Sequence, residues 1–344
     1  MVNRQSKRPQ ASAQASTRVE RIYNPTEMIK RPVFLVGSER SGTTLLGLML
    51  DHHPNIMFWD GFEYATKLVS DRGQYPAMAD YYRWLQSNSQ FLMDAPTIDR
   101  QLAYPMLVNS FLRQFQHFSP SPKALIGATV HHHFDRVLHI WPDAVFIHMV
   151  RDGRDVARSC IKMGWAGDGW HGAARWLQAE TLWDKLKLQL PESRRLEVRF
   201  EQLVENAPET LDRVCQFMGD RYHPDMMKYP ETTGYSLPDM SLVNQWHRNV
   251  SKREIQLIEA RIAPLLVERG YPLSGLPAVR VTPQTQLLLK IQNKLGILHR
   301  RTRKYGLPLA SADFIARRLG LRKLSDRINK KLSVIDTKSM TQSW

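Results

Sequence analysis

This sequence predicts an α/β fold, a parallel sheet of the P-loop type covered by helices in three layers, and three observations predict it. Short continuous apolar runs of strand formers recur along the chain, the pattern of strands buried on both faces. Each run is followed by a stretch of helical patterning, and strands alternating with helices build a parallel sheet. Two runs end in segments rich in glycine, hydroxyl and arginine residues, 37–44 and 151–159, at the strand ends where such sheets collect ligands.

The 344 residues suffice for one large domain or two small ones, and 42% hydrophobic residues furnish a core, which excludes global disorder. The 48 Lys and Arg exceed the 33 Asp and Glu, for a formal net charge of +15. That points to anionic ligands, membrane surfaces or nucleic acid as company without choosing among them. Cys160 and Cys215 are the only thiols, too few for a disulfide framework or a cysteine-based zinc site. No stretch reaches the roughly 18 apolar residues of a membrane span, and the first thirty residues have no signal-like apolar core. A soluble, cytoplasmic protein in a reducing compartment is expected.

In chain order, residues 1–30 read as a flexible basic leader, since Ser, Gln, Ala and Arg alternate there without an apolar period. Order is expected from Arg31 and Pro32, which open the main domain at 31–275. Val33, Phe34, Leu35 and Val36 form a buried strand, and 43–50 is too uniformly apolar for a surface helix. The mixed segment 64–122 reads as helices and loops of a lid or acceptor wall. A strand follows at 125–130, then strand, loop and helix over 144–162, then a strand at 196–200 before a helix around 207–218. The last segment, 283–344, reads as a basic amphipathic helical tail: 14 Lys and Arg against three Asp between Lys290 and Lys338 concentrate there most of the excess charge. Leu288, Ile291, Leu295 and Leu298, and later Leu321, Leu324, Ile328 and Leu332, follow helical spacing.

The segment Gly37, Ser38, Glu39, Arg40, Ser41, Gly42, Thr43, Thr44 has the frame of a phosphate-binding loop, with its two glycines and terminal hydroxyl between a strand and a helix. Thr43 occupies the place where nucleotide triphosphatases carry Lys, and the cation sits at Arg40 instead. Successive N–H groups at a helix start still attract an anion, and Thr43 and Thr44 add hydroxyl donors. A planar guanidinium suits a group with several equatorial oxygens and less charge than a γ-phosphate, such as sulfuryl. The strand before Arg151 ends in that Arg where a P-loop enzyme places a magnesium-binding Asp, so no metal is expected.

The run from Arg40 to Leu45, followed by Met49, Leu50, Asp51, His53 and Pro54, resembles the 5′-phosphosulfate segment of sulfotransferases that use 3′-phosphoadenylyl sulfate (PAPS), particularly the tyrosylprotein and bacterial branch. Arg151, Asp152, Gly153, Arg154 and Asp155, with Ser159 further along, resemble that family's 3′-phosphate site. The segment 198–203 is similar to the family's Arg-Tyr-Glu-x-Leu, with Phe200 in place of Tyr, and 246–251 to its late Trp-Arg segment. The resemblance implies a sulfotransferase fold and sulfuryl transfer from PAPS to a hydroxyl, or less readily an amine, with release of adenosine 3′,5′-bisphosphate. It implies Gly37, Ser38, Arg40, Ser41, Gly42, Thr43, Thr44, Arg151, Ser159 and Arg248 as donor-binding residues.

Such a reaction needs in-line positioning, charge stabilisation on the moving group, and a base. Arg40 and the loop amides meet the second need. For the base, Glu63 is favoured because Phe62 and Tyr64 flank it and are expected to desolvate it; Asp60 is second. Among His131, His132 and His133, where relatives carry a Lys, one imidazole, His132, is a further candidate. The tail is expected to dock on the main domain, or to meet an anionic membrane or an acidic partner. Two competing readings are an ATP-dependent small-molecule kinase and a non-enzymatic nucleic-acid-binding protein.

Overall fold

The computed structural model describes residues 27–116, 123–319, 324, 328, 331 and 332. The leader up to residue 26, and from the tail Leu321 and 333–344, lie outside the described residues. Order begins earlier than Arg31: Ile29 is buried and its N–H donates to Asn109 Oδ1 at 2.9 Å. The chain divides into two compact units, one holding the described chain up to Arg151 together with Gln178–Thr232, the other Asp152–Leu177 and the described chain from Thr233.

The first unit holds the sheet. Strands β1 (Val33–Gly37), β2 (Ile56–Trp59), β3 (Leu125–Val130), β4 (Val145–Val150) and β5 (Arg195–Arg199) lie in the order β2-β3-β1-β4-β5, and every pair is parallel. Central β1 aligns Val36 with Val130 on one side and His148 on the other. Both β1 and β4 are buried along their whole length, which explains why they read as apolar runs, β4 interrupted only by His148. From β1 the chain goes to β2 and β3, and from β4 to β5 on the opposite side, so the strand order reverses between β1 and β4. Parallel sheets open their ligand crevice at such a point, at the carboxyl ends of the strands. Gly37 and Arg151 both stand there.

Helix α1 (Thr43–Asp51) follows the loop directly and buries Leu45, Leu46, Leu48, Met49 and Leu50, each contributing about 1.5–3 kcal/mol by leaving water. Its last residue, Asp51, accepts the Phe58 N–H at 3.1 Å and so ties α1 to β2. That edge strand was absent from the sequence-based expectation, which placed no strand between residues 51 and 64. Helices α2 (Met78–Leu85), α3 (Ser89–Asp94) and α4 (Tyr104–Gln116) fill the stretch expected to form a lid. Instead Tyr64, Tyr81, Leu85, Phe91, Tyr104 and Phe111 join the main core, because their large rings leave water only by packing together.

Helix α5 (Gly153–Lys162) opens the second unit, and α6 (Gly169–Lys187) follows it. After β5 come α7 (Phe200–Glu205) and α8 (Ala207–Met218), then α9 (Trp246–Asn249), α10 (Lys252–Glu268), α11 (Pro283–Tyr305) and α12 (Leu307–Arg318). The tail groups with the second unit, and α11 meets it by a face other than its leucine stripe. The Gly167 N–H donates to Asn293 Oδ1 at 2.7 Å, and a Cβ on Gly296 would lie 2.7 Å from Gly167 Cα. Two backbones this close tolerate only glycine, so the leucines fall on the other side. Further on, Ile328 and Leu332 are buried with Ala316, and Tyr305, Leu309 and Ala312 pack on them.

Candidate functional site

Gly37 ends β1 at φ 138°, and a Cβ there would overlap the Met149 carbonyl. Gly42, at φ 99°, lies so close to the Phe200 ring that a Cβ would approach its Cε2 to 2.9 Å. Only glycine fits either place. Between them Arg40 takes a left-handed φ of 71°, a conformation that costs about 1–3 kcal/mol and gathers at ligand sites. The Ser41 N–H closes the turn on the Ser38 carbonyl at 3.1 Å. The Ser41 side chain is fully buried and its Oγ has no hydrogen-bond partner. A buried hydroxyl left unsatisfied costs about 1–3 kcal/mol, and an anion oxygen would satisfy it. Gly42 caps α1 without a side-chain hydrogen bond, so the leading N–H groups of the helix are open to an anion. The donor set therefore fits a phosphosulfate or phosphate.

Arg151 meets this loop. Its Nη1 donates to the Arg40 carbonyl at 3.2 Å, and its guanidinium lies 4.1 Å from the Phe200 ring centre. It is nearly buried, at 6% exposure. Phe200 thus closes over both Gly42 and Arg151, a role that needs the ring and not the hydroxyl of the Tyr expected there.

The end of β3 brings the histidines to the same place. His131 Nδ1 lies 3.2 Å from the Gly37 carbonyl. A carbonyl only accepts, so Nδ1 carries the proton and Nε2 of the neutral ring is left as an acceptor. The His131 N–H donates to Glu63 Oε1 at 3.1 Å. His132 faces Glu39, with Nε2 3.5 Å from Oε2, and is exposed. Burial draws the His133 pKa below its ordinary value, helped by the Arg136 charge.

Glu63 is half-buried at the start of a short 3-10 turn, Glu63–Ala65. The rings expected to desolvate it are engaged elsewhere. Phe62 packs among Tyr64, Phe115 and Trp141, and the Tyr64 hydroxyl donates to Asp94 Oδ2 at 3.0 Å. Asp60 is exposed beyond β2. Nothing in the sequence signalled Asp94. It is buried and also accepts from Trp59 Nε1 at 3.1 Å and Gln90 Nε2 at 2.8 Å. Burial lifts its pKa to about 7 against these hydrogen bonds, which favour the charged form. Only its three partners, scattered in sequence, reveal it.

The other unit carries the remaining candidates. Asp152 caps α5 by accepting the Arg154 N–H. Arg154 is buried, donating to Asp152 and Glu259 at 2.7 and 2.9 Å with Trp246 3.7 Å below its plane. It ties α5 to Trp246 on α9 and Glu259 on α10. Asp155 accepts the Trp246 N–H at 2.7 Å. Ser159 is half-buried on α5. Arg248 is exposed on α9 and donates to the Ser241 carbonyl at 2.9 Å. The structure thus brings together the loop 37–44, Arg151, Glu63 and His131, and places Ser159 and Arg248 in the second unit.

A parallel α/β sheet whose central strand runs through a glycine-framed anion loop into a buried helix defines a protein of the P-loop type. The profile of the Sulfotransferase family matches residues 32–224, which include all five strands, and the chain belongs to that family. It is 24% identical to a protein-tyrosine sulfotransferase of Drosophila melanogaster over 213 residues, 58% of this chain and 40% of that one. It is also 24% identical to protein-tyrosine sulfotransferase 2 of Gallus gallus over 298 residues, 75% of this chain and 76% of that one. Among solved structures, the sulfotransferase domain of the Synechococcus PCC 7002 olefin synthase shares the fold, with a TM-score of 0.53, 18% identity, and 72% of this chain and 98% of that one covered.

Proposed function

We propose that this protein moves a sulfuryl group from PAPS to a hydroxyl acceptor and releases adenosine 3′,5′-bisphosphate. The observation that carries the reading is the meeting of Arg151 with the Arg40 loop at an open helix N-terminus. Two guanidinium-bearing residues, main-chain N–H groups and the buried Ser41 hydroxyl then converge on a single anionic donor. PAPS, when bound, supplies the sulfuryl group and a phosphate leaving group. The loop 37–44 would hold the phosphosulfate and Arg151 the 3′-phosphate. The acceptor oxygen bonds to sulfur as the bond from sulfur to the bridging phosphate oxygen breaks, and the acceptor proton passes to a base.

Glu63 is the base in this reading, its Oε1 fixed by the His131 N–H. A second reading gives the role to His131, because its hydrogen bond to Gly37 leaves Nε2 as a proton acceptor. Both stand at the carboxyl end of β3, whereas Asp60 is exposed and His132, also exposed, faces Glu39. The names of the two relatives make a tyrosine-bearing peptide the first acceptor to try, ahead of sugars, lipids and amines. This reading gives a metal no role.

Calorimetry with adenosine 3′,5′-bisphosphate, against ADP with magnesium, tests the donor. Tight binding of the bisphosphate alone is expected. Binding of magnesium ADP alone would transfer the protein to the kinase reading, which Thr43 in the lysine position disfavours. Turnover of PAPS on a tyrosine peptide tests the acceptor.

A further inference from the structure

We propose that helix α11 seats the protein on an anionic lipid surface through an apolar stripe that the fold leaves uncovered. Leu287, Leu288, Ile291, Leu295 and Leu298 are 61%, 61%, 49%, 60% and 51% exposed. With about 100° of rotation per residue, these five share one side of the helix. The opposite side carries Leu289, Asn293 and Gly296, of which Leu289 is buried at 4% exposure and the other two meet Gly167. The helix is therefore fixed by its narrow, small-residue side and turns its large apolar side to solvent. Lone exposed leucines are ordinary, but a continuous row marks an interaction surface.

Charge identifies the occupant. Residues 283–305 contain no Asp or Glu. Lys290 and Lys294 are exposed along one margin of the stripe, His299 lies on the other, and Arg303 is exposed one turn beyond. The single acid up to residue 318, Asp313, is buried at 1% exposure and paired with Arg301, so this hairpin shows outward only cations. A second copy of α11 laid along the stripe would set lysines beside lysines with no carboxylate to answer them. An anionic bilayer answers both features, acyl chains taking the leucines and headgroups the lysines. Leu307, Ile315 and Leu319 add exposed apolar positions at 66%, 50% and 66% on the following helix segment. Among the described residues no helix is long and apolar enough to cross a membrane, so the helix would lie in the interface.

Vesicle flotation of the full chain tests this. Vesicles of phosphatidylcholine and phosphatidylglycerol in equal parts are expected to carry the protein upward, those of phosphatidylcholine alone are not, and added salt should release it. Leu295→Glu with Leu298→Glu, and separately Lys290→Glu with Lys294→Glu, should each weaken partition about tenfold or more. These positions are exposed, so melting temperature should stay that of the unaltered chain; the lysine pair serves if the leucine pair fails to fold. Equal flotation on neutral vesicles, no flotation at all, or partition unchanged in both double variants would overturn the proposal. So would a dimer, seen by analytical ultracentrifugation, that Leu295→Glu dissociates.

Discussion

The Arg151 side chain donates from Nη1 to the main-chain carbonyl of Arg40, 3.2 Å away, with the Phe200 ring 4.1 Å from its guanidinium. Arg151 therefore braces the loop as well as carrying charge. A lysine keeps the charge but loses the planar fork and the stacking on Phe200. Arg151→Lys is expected to weaken binding of adenosine 3′,5′-bisphosphate about tenfold or more by calorimetry. Arg40→Ala should lower turnover far more than it lowers that affinity, since its guanidinium is assigned to the moving group. Equal effects of the two substitutions on binding and turnover would contradict this division.

The base is separable from the donor site. Glu63→Gln should retain bisphosphate affinity and lower kcat by about a hundredfold or more. His131→Gln provides the comparison. If the acid limb of the pH–rate profile persists in Glu63→Gln and vanishes in His131→Gln, the base is the imidazole.

Gly42 allows one substitution to be dissected. Alanine there suffers both the φ of 99° and the nearby Phe200 ring. Gly42→Ala is expected to cost about 2 kcal/mol or more in urea unfolding. Adding Phe200→Leu should recover the steric part alone, and full recovery would show that backbone conformation contributes nothing.

Asp94 gives a pH dependence whose sign can be worked out. Its pKa is about 7 in the fold and near 3.8 when unfolded, so between these values the native state holds a proton that the unfolded chain has released. Stability must then fall as pH rises from about 4 to 7, by a few kcal/mol at most. Asp94→Asn should flatten that slope in urea titrations across the interval. A slope unchanged by the substitution would assign the dependence to other groups.

Arg154 neutralises two buried acids, Asp152 and Glu259. Arg154→Met should destabilise by about 3–5 kcal/mol, because the carboxylates remain without their cation. Arg154→Met with Glu259→Gln should be milder than the single change in chemical denaturation.

Much of the sheet was legible because β1 and β4 are buried on both faces, with His148 the one polar residue in either strand. The loop was legible because glycine spacing reports backbone geometry directly. Strand β2 was not, since four apolar residues straight after a helix and a His-Pro turn carry no period of their own. Asp94 was hidden because burial and hydrogen bonding are long-range facts, drawn from Trp59, Tyr64 and Gln90 together. On α11 the periodicity was legible and the side that packs was not. Spacing shows that leucines share a face, whereas the close approach of Gly167 and Gly296 decides which face packs.

Seven of the nine residues of α1 are buried, so protein and not water surrounds most of the axis along which its peptide dipoles align. The field at Thr43 is weakly screened and belongs to no group that gains or loses a proton. In the proposed reaction, retention of the donor's phosphosulfate end and withdrawal of the acceptor proton would thus obey different variables.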